Sequence, residues 1–497
     1  MNRSNQGALH QSKAGSDFLQ LSAEDAPEGG LSDWLAASLR TAISDGRLPI
    51  GSRLPATRVL AADLRVSRGV VTEAYQRLTE DGHIVGRGRA GTVVVAIPHT
   101  PKSGPPSKTQ PRPERPKTVF DSPPGVEVFE AARAAPARID LSPGVPDLAS
   151  FPRTAWLRAE RAVLSELSAV DFGYGDPRGA PAMRAAVATW LARNRGITVD
   201  PAEVIVVAGV AQTLDLLAQI LQRDGVKELA VEDPGSLGTR QQFHNRDIAT
   251  PPVTVDEDGI RVDELRATGA PAVLLTPAHH FPTGVVLGGE RRRELMQWAS
   301  EGGLIVEDDY DAEHRYDRPP VPAIRSMLVE QVCYTGSVSK LLAPALRVGW
   351  VLPPPKYREA FVAAKRFADL GNAVLPQLVL AHLMESGELE RQLRFLRRRH
   401  RQRRDAMITA IREYLPEAKV HGAAAGLHLM ITFDSSAFKS NDAKLAAEIL
   451  ARGVKVQPLS WHHQRPARPG LVLGYAANNQ SDLAEGIATI AEALHHQ

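Results

Sequence analysis

The sequence predicts an α/β protein with a small helical head, a body built on a mainly parallel β-sheet, and a small α+β domain at the C-terminus. Three observations predict this order. Three short amphipathic helices and a hairpin come first, within residues 31–96. A proline-rich segment follows them. From Ile139 onward, short apolar runs alternate with helical stretches, which is typical of a parallel sheet covered by helices.

Length, charge and cysteine content limit the classes of protein that remain. A chain of 497 residues is too long for one ordinary core and suggests roughly two to four domains. The formal charge of +2 is close to neutral, so contact with nucleic acid has to come from a local basic surface. The single cysteine, Cys333, excludes an internal disulfide and a cysteine-based zinc site. No apolar run has the length of a signal peptide or membrane span, so we expect a cytoplasmic protein without a membrane partner.

The chain opens with an arm and a first helix. Residues 1–30 are polar and lack periodicity, which predicts a flexible arm. Apolar residues at helical spacing begin at Leu31, with Ser32 or Asp33 as the N-cap and Gly46 as the stop.

Two further helices and a hairpin complete the head. The second helix begins near Pro55, and the third opens with Ser67 and Arg68 after a very short turn, which is the geometry of a helix-turn-helix. A hairpin with its turn at Gly88–Gly91 makes this a winged helix. Residues 31–96 contain nine arginines and six acidic residues, a local net charge of +3. The alternative is a three-helix dimerisation module.

The pattern L-P-x-T-R-x-L-A-x-x-L-x-V-S-R-x-x-V-x-x-A-Y-x-x-L-x-x-x-G, which begins at Leu54, resembles the DNA-binding domain of GntR-type bacterial transcription regulators. The resemblance implies a winged helix-turn-helix domain over residues 31–97 that binds double-stranded operator DNA. The side chains that it places against DNA are Arg58, Ser67, Arg68, Thr72 and Tyr75 in the helices and Arg87, Arg89 and Thr92 in the wing.

Residues 98–137 form the predicted linker. Its first part, residues 98–117, contains seven prolines and five lysines or arginines, which favours an extended polyproline-type spacer. Either its positive charge adds sequence-independent attraction to phosphate, or the segment is only a soluble spacer.

One stretch of the body, Tyr334–Trp350, concentrates reactive side chains. Lys340 is the candidate nucleophile, because a lysine that forms a Schiff base needs a carbonyl-bearing cofactor beside it. Ser337 and Ser339 can hydrogen-bond a phosphate of that cofactor, and Arg347 can add a bidentate contact to the same phosphate. The pattern S-x-S-K-x-x-x-P-x-x-R-x-G resembles the cofactor lysine segment of fold-type I pyridoxal-phosphate enzymes, the aminotransferase family.

Head and body together resemble the MocR subgroup of GntR-type regulators, over roughly residues 31 to 490. The resemblance implies an aminotransferase-like domain at residues 138–497 that binds pyridoxal 5′-phosphate (PLP), with a small C-terminal subdomain from about residue 370.

Other residues of the body complete the predicted cofactor site at the carboxyl ends of the strands. The helix after the run VVAG offers the backbone N–H groups of Val210 and Ala211 to a phosphate. In the run GLIVEDDYD, Asp308 would hold the pyridine nitrogen protonated, with Asp309 as the alternative, and Tyr310 would contact the ring hydroxyl.

Two further motifs extend the resemblance. FGYGDPRGAPAMR resembles the family's segment whose tyrosine, here Tyr174, reaches the phosphate of the neighbouring subunit, so a homodimer is implied. PAHHFPTG resembles the loop P-x-[NH]-x-P-T-G, with Phe281 where ordinary aminotransferases have an asparagine that contacts the ring oxygen.

Two further departures from the enzyme pattern bear on transamination. Ser236 lies near the place of an aromatic residue that stacks on the pyridine ring, and a serine cannot stack. Val472 occupies the place of the arginine that binds the substrate carboxylate, and a valine cannot bind one. Both departures leave the cofactor anchored but weaken the case for transamination of an α-amino acid.

The C-terminal part contains eight arginines within residues 391–404. They recur on most faces of one helix, which predicts a solvated connector with ion pairs to the large domain, and nucleic-acid binding is the alternative. The run WHHQR has no second ligand cluster at metal spacing, so no metal is predicted.

These features predict a PLP-dependent, DNA-binding transcription regulator rather than an enzyme. PLP itself would be the effector, and vitamin B6 biosynthesis the regulated process. One alternative is a regulator of amino-acid or amine catabolism, whose effector displaces Lys340 and is anchored by an arginine such as Arg178 or Arg240. The others are an active aminotransferase with a tethering head, and a PLP-free ligand sensor that has kept the scaffold.

Overall fold

The computed structural model describes residues 19, 21–23, 26–27, 30–86, 88, 91–95, 119–120, 123–316, 321–433 and 441–495. The chain divides into two compact units, a head within residues 1–113 and a body within residues 114–497. Most of the predicted arm, and the predicted linker up to residue 118, lie outside the described residues. In the described part, no helix is long and apolar enough to cross a lipid bilayer.

The head consists of three helices and a small antiparallel sheet. Its elements are α1 (Leu31–Ser44), β1 (Arg53–Leu54), α2 (Thr57–Asp63), α3 (Arg68–Glu80), β2 (Ile84–Gly86) and β3 (Thr92–Val94). The sheet has the order β1-β3-β2. Leu39, Ile43 and Leu78 are fully buried where the apolar faces of the helices meet. The predicted winged helix-turn-helix is confirmed, and β1 adds a third strand to the predicted hairpin.

The starts of the helices agree with the sequence in one case and differ in another. Gly30 is the N-cap of α1, so the prediction of Ser32 or Asp33 as the cap is wrong. Asp33 lies in the first turn instead, where its negative charge interacts favourably with the helix dipole. Helix α3 begins as predicted, because the Ser67 hydroxyl accepts a hydrogen bond from the Val70 N–H at 3.4 Å.

The body is a three-layer α/β unit followed by a smaller α+β layer. Its strands are β4 (Ile139–Asp140), β5 (Ile205–Val207), β6 (Ala230–Asp233), β7 (Pro252–Asp256), β8 (Gly259–Ile260), β9 (Ala272–Leu275), β10 (Leu304–Asp309), β11 (Val332–Ser337), β12 (Gly349–Leu352), β13 (Lys419–His421), β14 (His428–Thr432), β15 (Val454–Lys455), β16 (Gln457–Pro458) and β17 (Gly470–Gly474).

Helices separate most of these strands. They are α4 (Val128–Ala134), α5 (Arg153–Glu166), α6 (Pro181–Arg195), α7 (Val210–Arg223), α8 (Leu237–His244), α9 (Val262–Thr268), α10 (Gly289–Ser300), α11 (Pro355–Asp369), α12 (Val374–Glu385), α13 (Glu388–Tyr414), α14 (Asp442–Ala451) and α15 (Gln480–His495). Short 3₁₀ turns occupy Leu148–Ser150, Ala169–Phe172, Pro201–Glu203, Ala312–His314, Ile324–Ser326, Pro344–Leu346 and Leu459–His462.

The main sheet has eight strands in the order β5-β12-β11-β10-β9-β6-β7-β8. The central pairs from β11 to β7 are parallel, and the outer pairs are antiparallel. Val206 belongs to one apolar core and Val207 to another, as the alternation of side chains along a strand requires. The predicted mainly parallel sheet is confirmed, and the two cores show that both of its faces are covered.

The smaller layer is an antiparallel sheet of order β13-β14-β17-β16. Its outer face packs on α14, α15 and the end of α13, where Met407, Leu445 and Ile487 are fully buried. Strand β15 pairs in parallel with β4 and so joins this layer to the start of the body.

The arginine-rich stretch lies in α13. Arg399 and Arg403 form ion pairs with the buried Asp147 at 3.0 and 2.8 Å. Arg397 donates to the backbone carbonyl of Glu313 at 2.5 Å. These contacts support the predicted connector, which holds the long helix against the rest of the body.

Candidate functional site

A cavity of about 740 Å³ opens at the carboxyl ends of the parallel strands, between the main sheet and the smaller one. Parallel strands end at one edge of a sheet, which is why residues distant in sequence meet there. The predicted cofactor residues that line the cavity are Val210, Ala211, Asp308, Tyr310, Ser337, Ser339, Lys340 and Arg347.

Lys340 follows β11 and points into this cavity. Its Nζ donates a hydrogen bond to the backbone carbonyl of Gly144. Gly144 has a φ of +79°, a left-handed conformation that favours glycine, and a Cβ there would lie 2.9 Å from Nζ. Burial lowers the pKa of Lys340, against the charges of Asp311 and Asp308, which raise it. A lowered pKa leaves more of the neutral amine that attacks a carbonyl.

One end of the cavity is built for an anion. Helix α7 begins at Val210, and its first backbone N–H groups have no acceptor within the helix. The Arg347 guanidinium lies beside them and donates to the carbonyl of Ala208. Gly209 has a φ of +84°, and a Cβ there would come within 3.2 Å of Arg347 Nη1. Bare backbone, a guanidinium and the hydroxyl of Ser337 therefore surround a space suited to a phosphate.

Asp308 and Asp309 are neighbours on β10, so their side chains point to opposite faces of the sheet. Asp309 is bound to Arg195 at 2.5 Å and accepts a hydrogen bond from the Tyr334 hydroxyl at 2.6 Å. Asp308 lines the cavity, and its buried Oδ1 has no partner among the described residues. Burial, and then the charges of Asp309 and Asp311, raise the pKa of Asp308 to about 7. A protonated pyridine nitrogen would supply the missing partner, so the residues fit PLP.

Beside Tyr310 lies a buried polar cluster that was not predicted from the sequence. His279 Nδ1 lies 3.1 Å from the Tyr310 hydroxyl and 3.0 Å from Asp311 Oδ2. Ligand atoms of His279, Asp311 and His428 all lie within 4.8 Å of one another. His279 belongs to the PAHHFPTG loop, which was the available signal, whereas His428 comes from a distant strand. Because His279 and Asp311 already bind each other, we assign no metal to this cluster. That the protein binds no metal stays a prediction.

The two departures from the enzyme pattern have structural roles. Ser236 is the N-cap of α8, and its Oγ accepts a hydrogen bond from the Thr239 N–H at 3.3 Å. Val472 is fully buried and packs with Met430 against Phe281. The position expected for a carboxylate anchor is thus closed by apolar side chains.

Tyr174 does not line this cavity. Its side chain is 94% exposed. The large apolar side chains of the same region that are also exposed are Val170, Phe172, Phe367 and Leu370. Val170, Phe172, Tyr174 and Leu370 line one surface cavity, and clustered exposed apolar side chains are typical of interaction surfaces.

In the head, Arg58, Ser67, Arg68 and Thr72 are exposed on the surface. Tyr75 is not, which corrects the prediction that it faces DNA. It is 6% exposed, and its hydroxyl donates to the carbonyl of Pro55 at 2.9 Å. Tyr75 therefore packs in the core of the helix-turn-helix and stabilises it.

The wing is described in part. Thr92 is half-buried in β3, while Arg87 and Arg89 lie outside the described residues. Arg53, on the strand that the sequence did not predict, is exposed at the same small sheet. Its charge makes it a further candidate for contact with phosphate.

Comparison with known proteins agrees with both units. The family model "Bacterial regulatory proteins, gntR family" matches residues 31–94, and "Aminotransferase class I and II" matches residues 137–490. The chain is 30% identical to the probable rhizopine catabolism regulatory protein MocR of Rhizobium meliloti, over 93% of each chain. It is also 30% identical to the pyridoxine biosynthesis transcriptional regulator PdxR of Corynebacterium glutamicum, over 93% of this chain and 95% of that one.

Solved structures support the body in the same way. The kynurenine aminotransferase of Pyrococcus horikoshii, solved in complex with PMP, is 25% identical with a TM-score of 0.67, over 74% of this chain and 93% of that one. A family match to most of the chain, together with a site that fits the cofactor, identifies the body as a pyridoxal-phosphate domain. The chain belongs to the MocR-type GntR family of bacterial transcription regulators, with an aminotransferase-like domain behind a DNA-binding head.

Proposed function

We propose that this regulator responds to PLP itself and controls the biosynthesis of vitamin B6. One observation carries the proposal: the cavity brings together the lysine, the phosphate contacts and the carboxylate expected to hold PLP, with an apolar residue, Val472, at the place of the carboxylate anchor. A domain with this combination can hold PLP but lacks the feature that an amino-acid substrate requires. The relative named for pyridoxine biosynthesis supports the same conclusion.

The residues of the cavity have distinct roles in this proposal. Lys340 attaches the cofactor covalently, and its lowered pKa favours the attack. Arg347 and the start of α7 hold the phosphate, and Asp308 pairs with the ring nitrogen. Bound PLP supplies a carbonyl for that attachment and an electron-accepting ring. The vacant hydrogen-bonding capacity of Asp308 is then satisfied.

Such a site can act as a switch because a ligand shifts an equilibrium through its differential affinity for two states. A phosphate contact and a covalent link supply several kcal/mol to whichever state of the body closes around them. We propose that this state alters the affinity of the head for its operator.

We also propose that the working unit is a homodimer. The exposed side chains of Phe172, Tyr174 and Leu370 support this, because clustered apolar surface favours burial against a second copy. In a dimer, Tyr174 would reach the phosphate site of the partner, which accounts for a tyrosine that is 94% exposed in the single chain.

The proposal is tested first at the lysine. Purified protein incubated with PLP is expected to gain visible absorbance, and borohydride should fix the cofactor to the peptide that contains Lys340. A Lys340→Ala protein with the same colour would contradict the assignment. DNA that copurifies with the protein would then identify the operator, and its affinity is measured with and without PLP.

Amine sensing is the second candidate function. The cavity continues past the cofactor contacts toward the smaller sheet, where His428 and Gln457 line it. An aminotransferase activity is less well supported. Ser236 caps a helix in place of a stacking aromatic residue, and Val472, at the place of the carboxylate anchor, is buried among apolar side chains.

A further inference from the structure

The far half of the cavity faces the smaller sheet. The whole cavity, at about 740 Å³, is within the range of roughly 300–1,000 Å³ typical of small-molecule sites. We propose that this half binds a primary amine whose other polar groups are uncharged, such as an amino alcohol, and disfavours amines with a carboxylate. The proposal rests on PLP bound at Lys340, but not on PLP being the signal.

The register of the smaller sheet determines which side chains face the cavity. Gln457 on β16 lies opposite Val472 on β17, and Met430 on β14 lies opposite Val472 on its other side. His428 is two residues before Met430, so it shares the same face. Gln457 and His428 line the cavity, while Val472 is sealed beneath Phe281. This face thus presents one amide and one imidazole where an enzyme of the family has an arginine.

Lys455 is a cation two residues before Gln457, and its N–H donors already have hydrogen-bond partners. Its Nζ lies 2.9 Å from Asp140 Oδ2, 3.1 Å from the Ala132 carbonyl and 3.3 Å from the Ala135 carbonyl. An ammonium group has three N–H donors, so three acceptors satisfy it. A ligand carboxylate would have to displace Asp140 to bind there.

The other cations near the site are either engaged or outside the cavity. Within the described part of the chain, the cationic residues that line the cavity are Arg133, Lys340, Arg347 and Lys455. Arg133 is exposed and pairs with Glu130 at 3.1 Å. The two arginines that the sequence offered as anchors do not line the cavity: Arg178 binds the carboxylate two residues before it, and Arg240 donates to the Trp461 carbonyl at 2.6 Å.

Besides the amide of Gln457, which can donate as well as accept, this face presents a hydrogen-bond acceptor. His428 Nε2 lies 3.2 Å from the carbonyl of Pro282, and because a carbonyl only accepts, Nε2 carries the proton. Burial lowers the pKa of His428 to about 3, so the ring is neutral and Nδ1 retains its lone pair. The carbonyl of Gly144, which accepts from Lys340 Nζ, adds a further acceptor. Ammonium and hydroxyl groups can donate to these atoms, whereas a carboxylate finds an amide on this face but no cation to balance its charge.

Two probes that differ in one group test the proposal. Serinol (2-amino-1,3-propanediol) is L-serine with a hydroxymethyl group in place of the carboxylate. Each is titrated into PLP-loaded protein and followed by calorimetry and by the visible spectrum of the cofactor. Serinol is expected to bind at least about tenfold more tightly than L-serine, because a buried carboxylate without a partner is strongly disfavoured. Loading is measured first, so a failure of the cofactor site is seen before any amine is added.

Variants locate the effect. Gln457→Arg places a guanidinium opposite Val472 and is expected to improve L-serine binding by at least about tenfold. Gln457→Met, of similar length but uncharged, should give no such gain. Arg133→Gln should leave the preference for serinol unchanged, since Arg133 is not an anchor here.

The proposal is overturned if wild-type protein binds L-serine as tightly as serinol, or if neither probe changes the heat or spectrum of fully loaded protein. Loss of L-serine binding in Arg133→Gln would also overturn the proposal, because it would show that Arg133 anchors the carboxylate. If Gln457→Arg fails to load PLP, the wild-type comparison and Arg133→Gln decide the question.

Discussion

Replacing Asp308 by asparagine is expected to stabilise the cofactor-free protein at high pH while weakening its hold on PLP. Burial, followed by the charges of Asp309 and Asp311, raises the pKa of Asp308 from 3.8 to about 7. In the unfolded chain the carboxyl group keeps its ordinary pKa. Between these two values the folded protein holds a proton that the unfolded chain has lost, so its stability falls as the pH rises.

The size of the effect follows from the two pKa values of Asp308. At about 1.36 kcal/mol per pKa unit, the difference between 3.8 and about 7 corresponds to about 4 kcal/mol above the folded-state pKa. This is an upper limit, because the side chain lines a cavity that water enters. Between pH 5 and pH 8.5 the stability of Asp308→Asn relative to wild type should therefore rise by up to about 3 kcal/mol. The acidic Glu232 and Glu307 titrate in both proteins, so their contribution largely cancels in the difference.

Urea unfolding of the cofactor-free proteins at pH 5 and pH 8.5 measures this difference. PLP titration of the same samples should show affinity weakened by about ten- to a hundredfold in Asp308→Asn, because the ring nitrogen loses a charged partner. Asp309→Asn is the control: it leaves Arg195 buried without its charged partner and should lose about 3–5 kcal/mol already at pH 5, where Asp308 is protonated. The reasoning is refuted if Asp308→Asn gains no relative stability between the two pH values and binds PLP like wild type.

Three further substitutions test other parts of the protein. Gly209→Ala should weaken PLP binding by tenfold or more. Gly225 has a similar positive φ but open space around it, so Gly225→Ala should cost only backbone strain of about 1–2 kcal/mol. PLP titration compares the two variants. Phe172→Asp is expected to shift the protein from dimer to monomer in analytical ultracentrifugation, and an unchanged sedimentation coefficient would contradict the proposed interface. Arg68→Ala should relax operator specificity by about 1–3 kcal/mol, whereas Arg89→Ala should weaken all DNA sequences and lower the salt slope by about one unit; no change in either would mean that the head is a dimerisation module.

Much of the fold followed from patterns that are local in sequence. The apolar runs that became β10 and β11, and the lysine segment after β11, needed only short-range periodicity and turn residues. The same reasoning could have placed Tyr75 correctly, because Val71, Ala74 and Leu78 form the buried stripe of α3 to which it belongs. The resemblance to the GntR pattern assigned Tyr75 to the surface, and the periodicity of the helix was the better guide.

Other features depend on contacts between distant parts of the chain. Alternation along β10 shows that Asp308 and Asp309 face opposite ways, but only the packing of Arg195 reveals which one turns away from the cavity. The pairing of Lys455 with Asp140 joins residues more than three hundred positions apart. No local pattern could show that the donors of this lysine are already satisfied.

The central claim is that PLP changes the affinity of this regulator for its own operator. The most direct measurement is the operator dissociation constant, by fluorescence anisotropy at fixed salt, for wild-type and Lys340→Ala protein with and without PLP. We predict a change of about 5- to 150-fold on adding PLP to wild type, the range of ordinary allosteric coupling, and a much smaller change in Lys340→Ala. Identical operator affinity for PLP-free and PLP-loaded wild-type protein would contradict the claim, and a response that appears only when an amine is added would make the amine the signal.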